Sequence, residues 1–182
     1  MRQAAKIIAI LAMVVLVVPV LLYATYDVIA FQSRRPEISN LLAGASQDER
    51  APSPLLTRLV RTSVRGHVSS HVARMLIRDL SISQVCKGTL GWHLTTALWS
   101  ALVAMHLAEN EQIAIFVSRS AVGEGRRGMG TEALACFQRP LSSLTIEELA
   151  TVVAISQAPS VYASSPERLG EYRDRLLGQV RN

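Results

Sequence analysis

The sequence predicts an all-α domain behind a single N-terminal transmembrane helix, and three observations predict it. Ile7 to Ala24 is an unbroken apolar run. At ~1.5 Å per residue its 18 residues span ~27 Å, close to the thickness of a hydrocarbon core. Beyond it, apolar residues recur at spacings of three and four, and no segment shows convincing period-two alternation. Thr145, Glu148 and Pro159 then punctuate the chain as a helix start and stop should.

The apolar run carries Tyr23 and Tyr26 near one end, and Pro19 inside it is a kink that a transmembrane helix can absorb. A cleaved signal peptide is the rival reading. Its apolar region is usually shorter, ~7–15 residues, and no convincing A-x-A site follows. Arg2, Lys6 and the terminal amine favour a cytoplasmic start, against Arg34 and Arg35 on the other flank. The expected layout is an anchor with its flanks over 1–31, a juxtamembrane linker over 32–54 and a domain over 55–182. The linker is polar and turn-rich, with Pro36, Gly44, Pro52 and Pro54, and has room for one short helix around Ile38–Leu42.

Within the domain, Leu55, Leu56, Leu59 and Val60 mark one helical face, and Arg58, Arg61 and Arg65 recur beside it. Gly66 divides this helix from a second one carrying Val72, Leu76 and Leu80. Leu94 to Val117 is the longest apolar-rich stretch, with a break near Glu109-Asn110-Glu111, and reads as the buried central helix. The helix after Thr145 has a capping box with Glu148 and a staple of Leu144 with Leu149. A last amphipathic helix runs from Pro166 to Gln179.

From Thr25 onward there are 17 basic and 14 acidic residues, a net of +3. That mild excess suits an anionic membrane surface or a phosphate ligand better than specific DNA binding, and no RNA-stacking motif accompanies it. Cys86 and Cys136 either pair in an oxidising compartment or stay as buried free thiols. His67 and His71 are four apart, as zinc ligands on a helix can be, but a third ligand and an adjacent Glu are missing. The Arg58, Arg61, Arg65 stripe is either a lipid-phosphate contact or a solvated face. Trp92 and Trp99 read as core or membrane-interface residues.

The stretch from Phe116 to Tyr162 reads FVSRSAVGEGRRGMGTEALACFQRPLSSLTIEELATVVAISQAPSVY. It resembles the C-terminal half of the family-51 peptidoglycan glycosyltransferases, the lipid II polymerases of bacterial cell walls. Gly123, Gly125 and Gly128 match that family's glycines. Phe137, Arg139-Pro140, Leu144-Thr145, Glu148, Ala150, Pro159 and Tyr162 match its packing and capping positions. Upstream, Ser69 to Leu80 resembles the G-S-T-I-T-Q-Q-L-x-K-N-L run, keeping Ser70, Val72, Leu76, Arg78 and Leu80 but losing the threonines and both glutamines. Pro166-Glu167-Arg168 and the Arg173 to Leu177 segment echo later motifs, so the resemblance covers Ser69 to Val180.

The resemblance implies a lysozyme-like lobe facing the periplasm from the bacterial inner membrane, among the monofunctional members. Family-51 chemistry needs a carboxylate to take a hydroxyl proton and cations to hold a departing diphosphate. The E-D-x-x-F-x-x-H-x-G signature that supplies the carboxylate does not occur. Glu37, Asp48 and Glu49 are the remaining candidates for a base, with solvated linker acids as the plainer reading. The R-K-x-x-E position falls on Trp92 to Thr96, leaving His93 as its one titratable cation, and the Y-L-N asparagine is Ser118, followed by Arg119. The glycines with Arg126 and Arg127 form either a phosphate-cradling loop or a structural turn.

Ser70, Arg74, Arg78, His93, Ser118, Arg119, Gly123, Gly125, Arg126, Arg127 and Gly128 are therefore the expected ligand-binding set. The expected function is a degenerate, non-catalytic membrane protein binding lipid II, a glycan strand or a cell-wall synthesis protein, with no nucleic acid and no cofactor. The alternative is an active, diverged polymerase, for which the resemblance would allow a divalent cation. Losing a general base typically costs ~10²–10⁴ in rate, which orders these two readings.

Overall fold

The computed structural model describes residues 2–65 and 67–181, and it is helical apart from one short hairpin. The chain divides into two units, residues 1–37 and 38–182. In the first, α1 (Arg2–Tyr26) takes Pro19 in its interior and passes into a wide π-turn, Asp27–Phe31, then a 3₁₀ turn, Gln32–Arg34. From Met13 to Leu22 the large apolar side chains of α1 stand largely exposed. This is the one helix among the described residues long and apolar enough to cross a membrane.

The stretch read as a linker is not an open one. Helix α2 (Arg35–Ala43) runs through the boundary between the units, and α3 (Gln47–Arg50) packs against the domain core. The sequence reading allowed this region one short helix. The reason for the difference lies in long-range partners that only the folded domain supplies, described below.

The domain begins with α4 (Pro54–Ser63), whose Pro54 occupies the first turn and whose Ser53 hydroxyl accepts from Leu56 N–H at 3.2 Å. Leu56, Leu59 and Val60 are its buried face, while Arg58, Arg61 and Arg65 stay exposed. Helix α5 (Val68–Asp79) follows, and the proposed divider Gly66 lies outside the described residues. Then come α6 (Gly88–His106) and α7 (Glu109–Arg119). The expected break in the long apolar stretch falls at Leu107-Ala108, where Ala108 N–H donates to Glu111 at 2.7 Å and the Gln112 amide donates to Leu107 C=O at 2.9 Å.

The central buried helix is α7 alone, with seven successive residues, Gln112 to Ser118, withdrawn from solvent. Burying each of Ile113, Ile115, Phe116 and Val117 stabilises by roughly 1.5–3 kcal/mol before entropy is counted. Helix α6 is different: it buries Gly91, Thr95, Trp99, Leu102 and Val103 against α5 and leaves its opposite face uncovered.

A further correction concerns strands. Ala121–Gly123 (β1) pairs antiparallel with Arg126–Arg127 (β2), Ala121 opposite Arg127. Two and three residues are too short for an alternation to show. Gly123 and Gly125, with φ of +102° and +74°, make the reversal that a side chain would resist. Helix α8 (Met129–Phe137) and a 3₁₀ turn, Leu141–Ser143, lead to α9 (Ile146–Gln157). The capping box at α9 forms as expected: Thr145 N–H donates to Glu148 at 2.8 Å, and Glu148 N–H to the Thr145 hydroxyl at 3.3 Å. Pro159 ends α9 and also opens α10 (Pro159–Ser164), before α11 (Pro166–Arg181) closes the domain on α9 and α4.

Candidate functional site

A cleft of about 630 Å³ opens beside the hairpin. One wall is the hairpin from Ala121 to Arg127, another is Ile155, Pro159, Tyr162, Ala163 and Leu169, and Arg78, Glu132 and Cys136 contribute from α5 and α8. Apolar walls from α9 to α11 thus meet a rim of three arginines, Arg78, Arg126 and Arg127.

Those arginines are engaged with acids. Asp79, at the end of α5, has its side chain 2 % exposed and accepts from two of them, Arg78 and Arg127, and from Arg119. Arg119 Nε donates at 2.7 Å, Arg78 Nε at 3.2 Å, and Arg127 Nη1 closes the set from the hairpin. Burial alone would push the Asp79 carboxyl up, but the Arg119 hydrogen bond and charge, helped by Arg78 and Arg127, outweigh it and hold the group below the usual carboxylate range. Arg78 and Arg127 of the rim are thus both paired with Asp79, and each keeps part of its guanidinium exposed.

Arg126 pairs elsewhere, with Glu132 at 3.3 Å and with exposed Glu124 at 3.6 Å. Glu132 is 4 % exposed, and its second oxygen accepts from the Cys136 thiol at 3.2 Å. Burial, and then that contact and the charge of Glu132, push the Cys136 thiol up to about 11. At neutral pH it is therefore a thiol and a poor nucleophile. Cys86 and Cys136 are both free and exposed, so neither a disulfide nor a buried pair describes them.

Of the three acids considered as a base, Asp48 and Glu49 do not line this cleft, and Glu37 belongs to the first unit. Glu37 is exposed and pairs with Arg34 at 2.7 Å within the first unit. Asp48 accepts from the Ser142 N–H at 3.1 Å and from its hydroxyl at 2.8 Å. Glu49 is 8 % exposed; one oxygen accepts from Ser46 N–H and hydroxyl, each at 3.1 Å, and the other from Gly130 N–H at 3.0 Å. The reading as solvated linker acids does not hold for Asp48 and Glu49, which tie this segment to the 3₁₀ turn and α8.

Gly128 and Gly130 make room for that tie. A Cβ on Gly128 would stand 2.7 Å from Glu49 Oε1 and 3.1 Å from Ser118 C=O, and one on Gly130 would stand 2.9 Å from the same Oε1. Gly128 also needs its φ of +89°. These glycines therefore serve a close approach of two chain segments, while Gly123 and Gly125 shape the cleft wall.

The remaining expected ligand-binding residues scatter. Ser118, in the position of the family's asparagine, is buried and donates back to Ala114 C=O at 2.7 Å. His93 is exposed on the outer side of α6. Ser70 and Arg74 line a shallow depression with His67 and His71, and Arg74 Nε donates to Ser70 C=O at 3.2 Å. His71 also stacks edge-on against Phe116, and burial, then Arg74 and His67, push its imidazole down. Among the described residues no group of three metal-ligating side chains gathers. Trp99 is core, and Trp92 is half-buried beside His71, Arg74 and Arg78.

Asp79, Glu132 and Cys136 were not foreseen. Asp79 had a visible signal, since it replaces the asparagine of the K-N-L run with a charge, between Arg78 and Leu80. Glu132 had none. The chain matches no protein-family model and no curated protein sequence.

Proposed function

We propose that this chain is a membrane-anchored, non-catalytic relative of the peptidoglycan glycosyltransferases that binds an amphipathic, anionic cell-wall ligand such as lipid II or a nascent glycan. The anchor would be α1, with the domain on the periplasmic side of a bacterial inner membrane. The observation that carries the reading is the state of the carboxylates around the cleft. Asp79 is enclosed by three arginines, Glu132 sits behind Arg126 and Cys136, and Glu124, the exposed carboxylate of the lining, pairs with Arg126 at 3.6 Å. Asp48 and Glu49 lie outside the lining and hold the preceding segment in place. A general base needs an acceptor within hydrogen-bond reach of the hydroxyl it activates. The cleft instead offers arginines for an anion and apolar side chains for a hydrocarbon or ring face.

The test uses the full chain in lipid nanodiscs with fluorescent lipid II. Saturable binding without polymer supports the reading, and Arg126→Ala should then weaken binding about tenfold, the equivalent of ~1.4 kcal/mol. Polymer formation selects the diverged enzyme instead. Absence of both binding and polymer rejects the shared ligand.

A further inference from the structure

Helix α6 has an outer face that the domain does not cover. At ~100° per residue, Leu90, Leu94, Ala97, Ala101, Ala104 and Met105 fall within an arc of about 100°. That stripe is roughly 22 Å long. Leu90 is 74 % exposed, Met105 62 % and Leu94 42 %, and Val85 in the preceding loop is 46 % exposed. In the second unit the exposed large apolar side chains are these four with Leu134 and Val161, so the exposure concentrates on one surface. The exposed His93 lies about 20° beyond the edge of that arc, and monomeric domains rarely expose a large contiguous apolar patch.

We propose that this face is seated in the surface of an anionic lipid bilayer, with α6 lying in the headgroup and acyl boundary. Charge selects lipid over a protein partner. From Leu80 to Ala108 no acidic residue occurs, and Lys87 stands at the start of the helix. No charged or hydrogen-bonding side chain stands inside the arc to set the register a protein interface needs, whereas a fluid lipid surface needs none. The chain also carries a helix long and apolar enough to cross a membrane, which would keep α6 within reach of that surface. The proposal rests on that helix being an anchor.

Nitroxide labels on the full chain separate the possibilities. Cys86→Ser and Cys136→Ser remove the native thiols, and single cysteines are placed at Leu16, Leu94, Met105 and Asp174. All four positions are exposed, so the fold should tolerate the labels. In vesicles of phosphatidylcholine with phosphatidylglycerol, labels at Leu94 and Met105 should be relaxed more by oxygen than by a water-soluble nickel chelate. Leu16 should behave alike and Asp174 in the opposite way. Nickel-accessible labels at Leu94 and Met105 beside a lipid-facing Leu16 overturn the proposal and spare the anchor. Labels shielded from both reagents mean a protein covers the face, a second copy included, and also overturn it. A Leu16 label accessible to nickel sinks the anchor reading, and the proposal with it.

Discussion

Glu49 shows how one side chain can organise residues far from it in sequence. It reaches 81 positions along the chain to Gly130 N–H while its other oxygen caps Ser46. Removing the carboxylate in Glu49→Ala leaves buried donors unpaired and should cost about 1–3 kcal/mol in thermal or urea unfolding of the detergent-solubilised chain. The sharper prediction is a change of sign. In the native background Gly130→Ala should destabilise, because its Cβ meets the carboxylate. With Glu49→Ala already present it should be neutral or stabilising by up to ~1 kcal/mol, the helical preference of Ala over Gly. Gly128→Ala should keep its penalty in both backgrounds, since its φ of +89° remains unfavourable and Ser118 C=O stays close. Asp79 makes a prediction in pH. Its native carboxyl is held below the ordinary value, so as pH falls the unfolded chain takes up the proton first. Its stabilisation is complete well above ~3.9 and is lost as pH falls through that value toward the lower native one. Asp79→Asn should be less stable at pH 7 by about 1–3 kcal/mol, and the wild-type and variant stability curves should converge in acid. The contacts of Glu49 with Gly130 and of Asp79 with Arg119 and Arg127 were not legible in the sequence, because they join segments 81, 40 and 48 residues apart. The glycines were legible as positions that forbid a side chain, but the carboxylate that forbids it was not.

At the scale of elements, legibility follows the range of the forces involved. Helix α9 could be read residue by residue, because its cap, box and stop are local. The break between α6 and α7 was likewise visible in two acids and an asparagine. The hairpin was missed because its strands hold too few residues for a period, and α3 because its partners lie in α7, α8 and the 3₁₀ turn, whereas α2 was legible as the short helix around Ile38–Leu42. Helix α6 was misjudged for another reason: composition shows that a helix is apolar, not whether both faces are covered. Its buried face has a specific requirement. A Cβ on Gly91 would fall 1.6 Å from Cys86 C=O, so the loop before α6 lies directly on the helix. That loop is held by Val85 N–H donating to the Thr95 hydroxyl at 2.9 Å, which in turn donates to Gly91 C=O at 2.7 Å. Gly91→Ala should therefore displace the loop and destabilise by about 1–3 kcal/mol. Thr95→Val should release the same loop without a clash. Both should speed amide exchange at Val85 while leaving the Leu149 to Ala154 amides of α9 protected. Unchanged exchange at Val85 in Gly91→Ala would mean the loop does not rest on that helix.

For the whole molecule, if α1 is the anchor proposed above, the next question is orientation across the membrane. Basic residues flank the apolar helix on both sides, Arg2 and Lys6 before it and Arg34 and Arg35 after it. Cations near a span bias their own side toward the cytoplasm, and acids offset them little, so the Arg34–Glu37 pair does not remove Arg34 from the competition. Both flanks lie within the range over which such cations count, with Lys6 directly adjoining the apolar run and Arg34 and Arg35 ten and eleven residues after Ala24. A domain of the proposed kind has its ligand chemistry on the outer side. The expected outcome is a cytoplasmic start and an outward domain. It can be read with Asp174→Cys, whose side chain is exposed on α11, in a chain lacking the native thiols. Cys136 is unsuited to this, since its thiol is held up to about 11 and labels slowly at neutral pH. A membrane-impermeant maleimide should label Asp174→Cys in intact bacterial spheroplasts to the same extent as after lysis. Labelling that appears only on lysis would invert the orientation and remove the domain from the compartment where a lipid-linked glycan is polymerised.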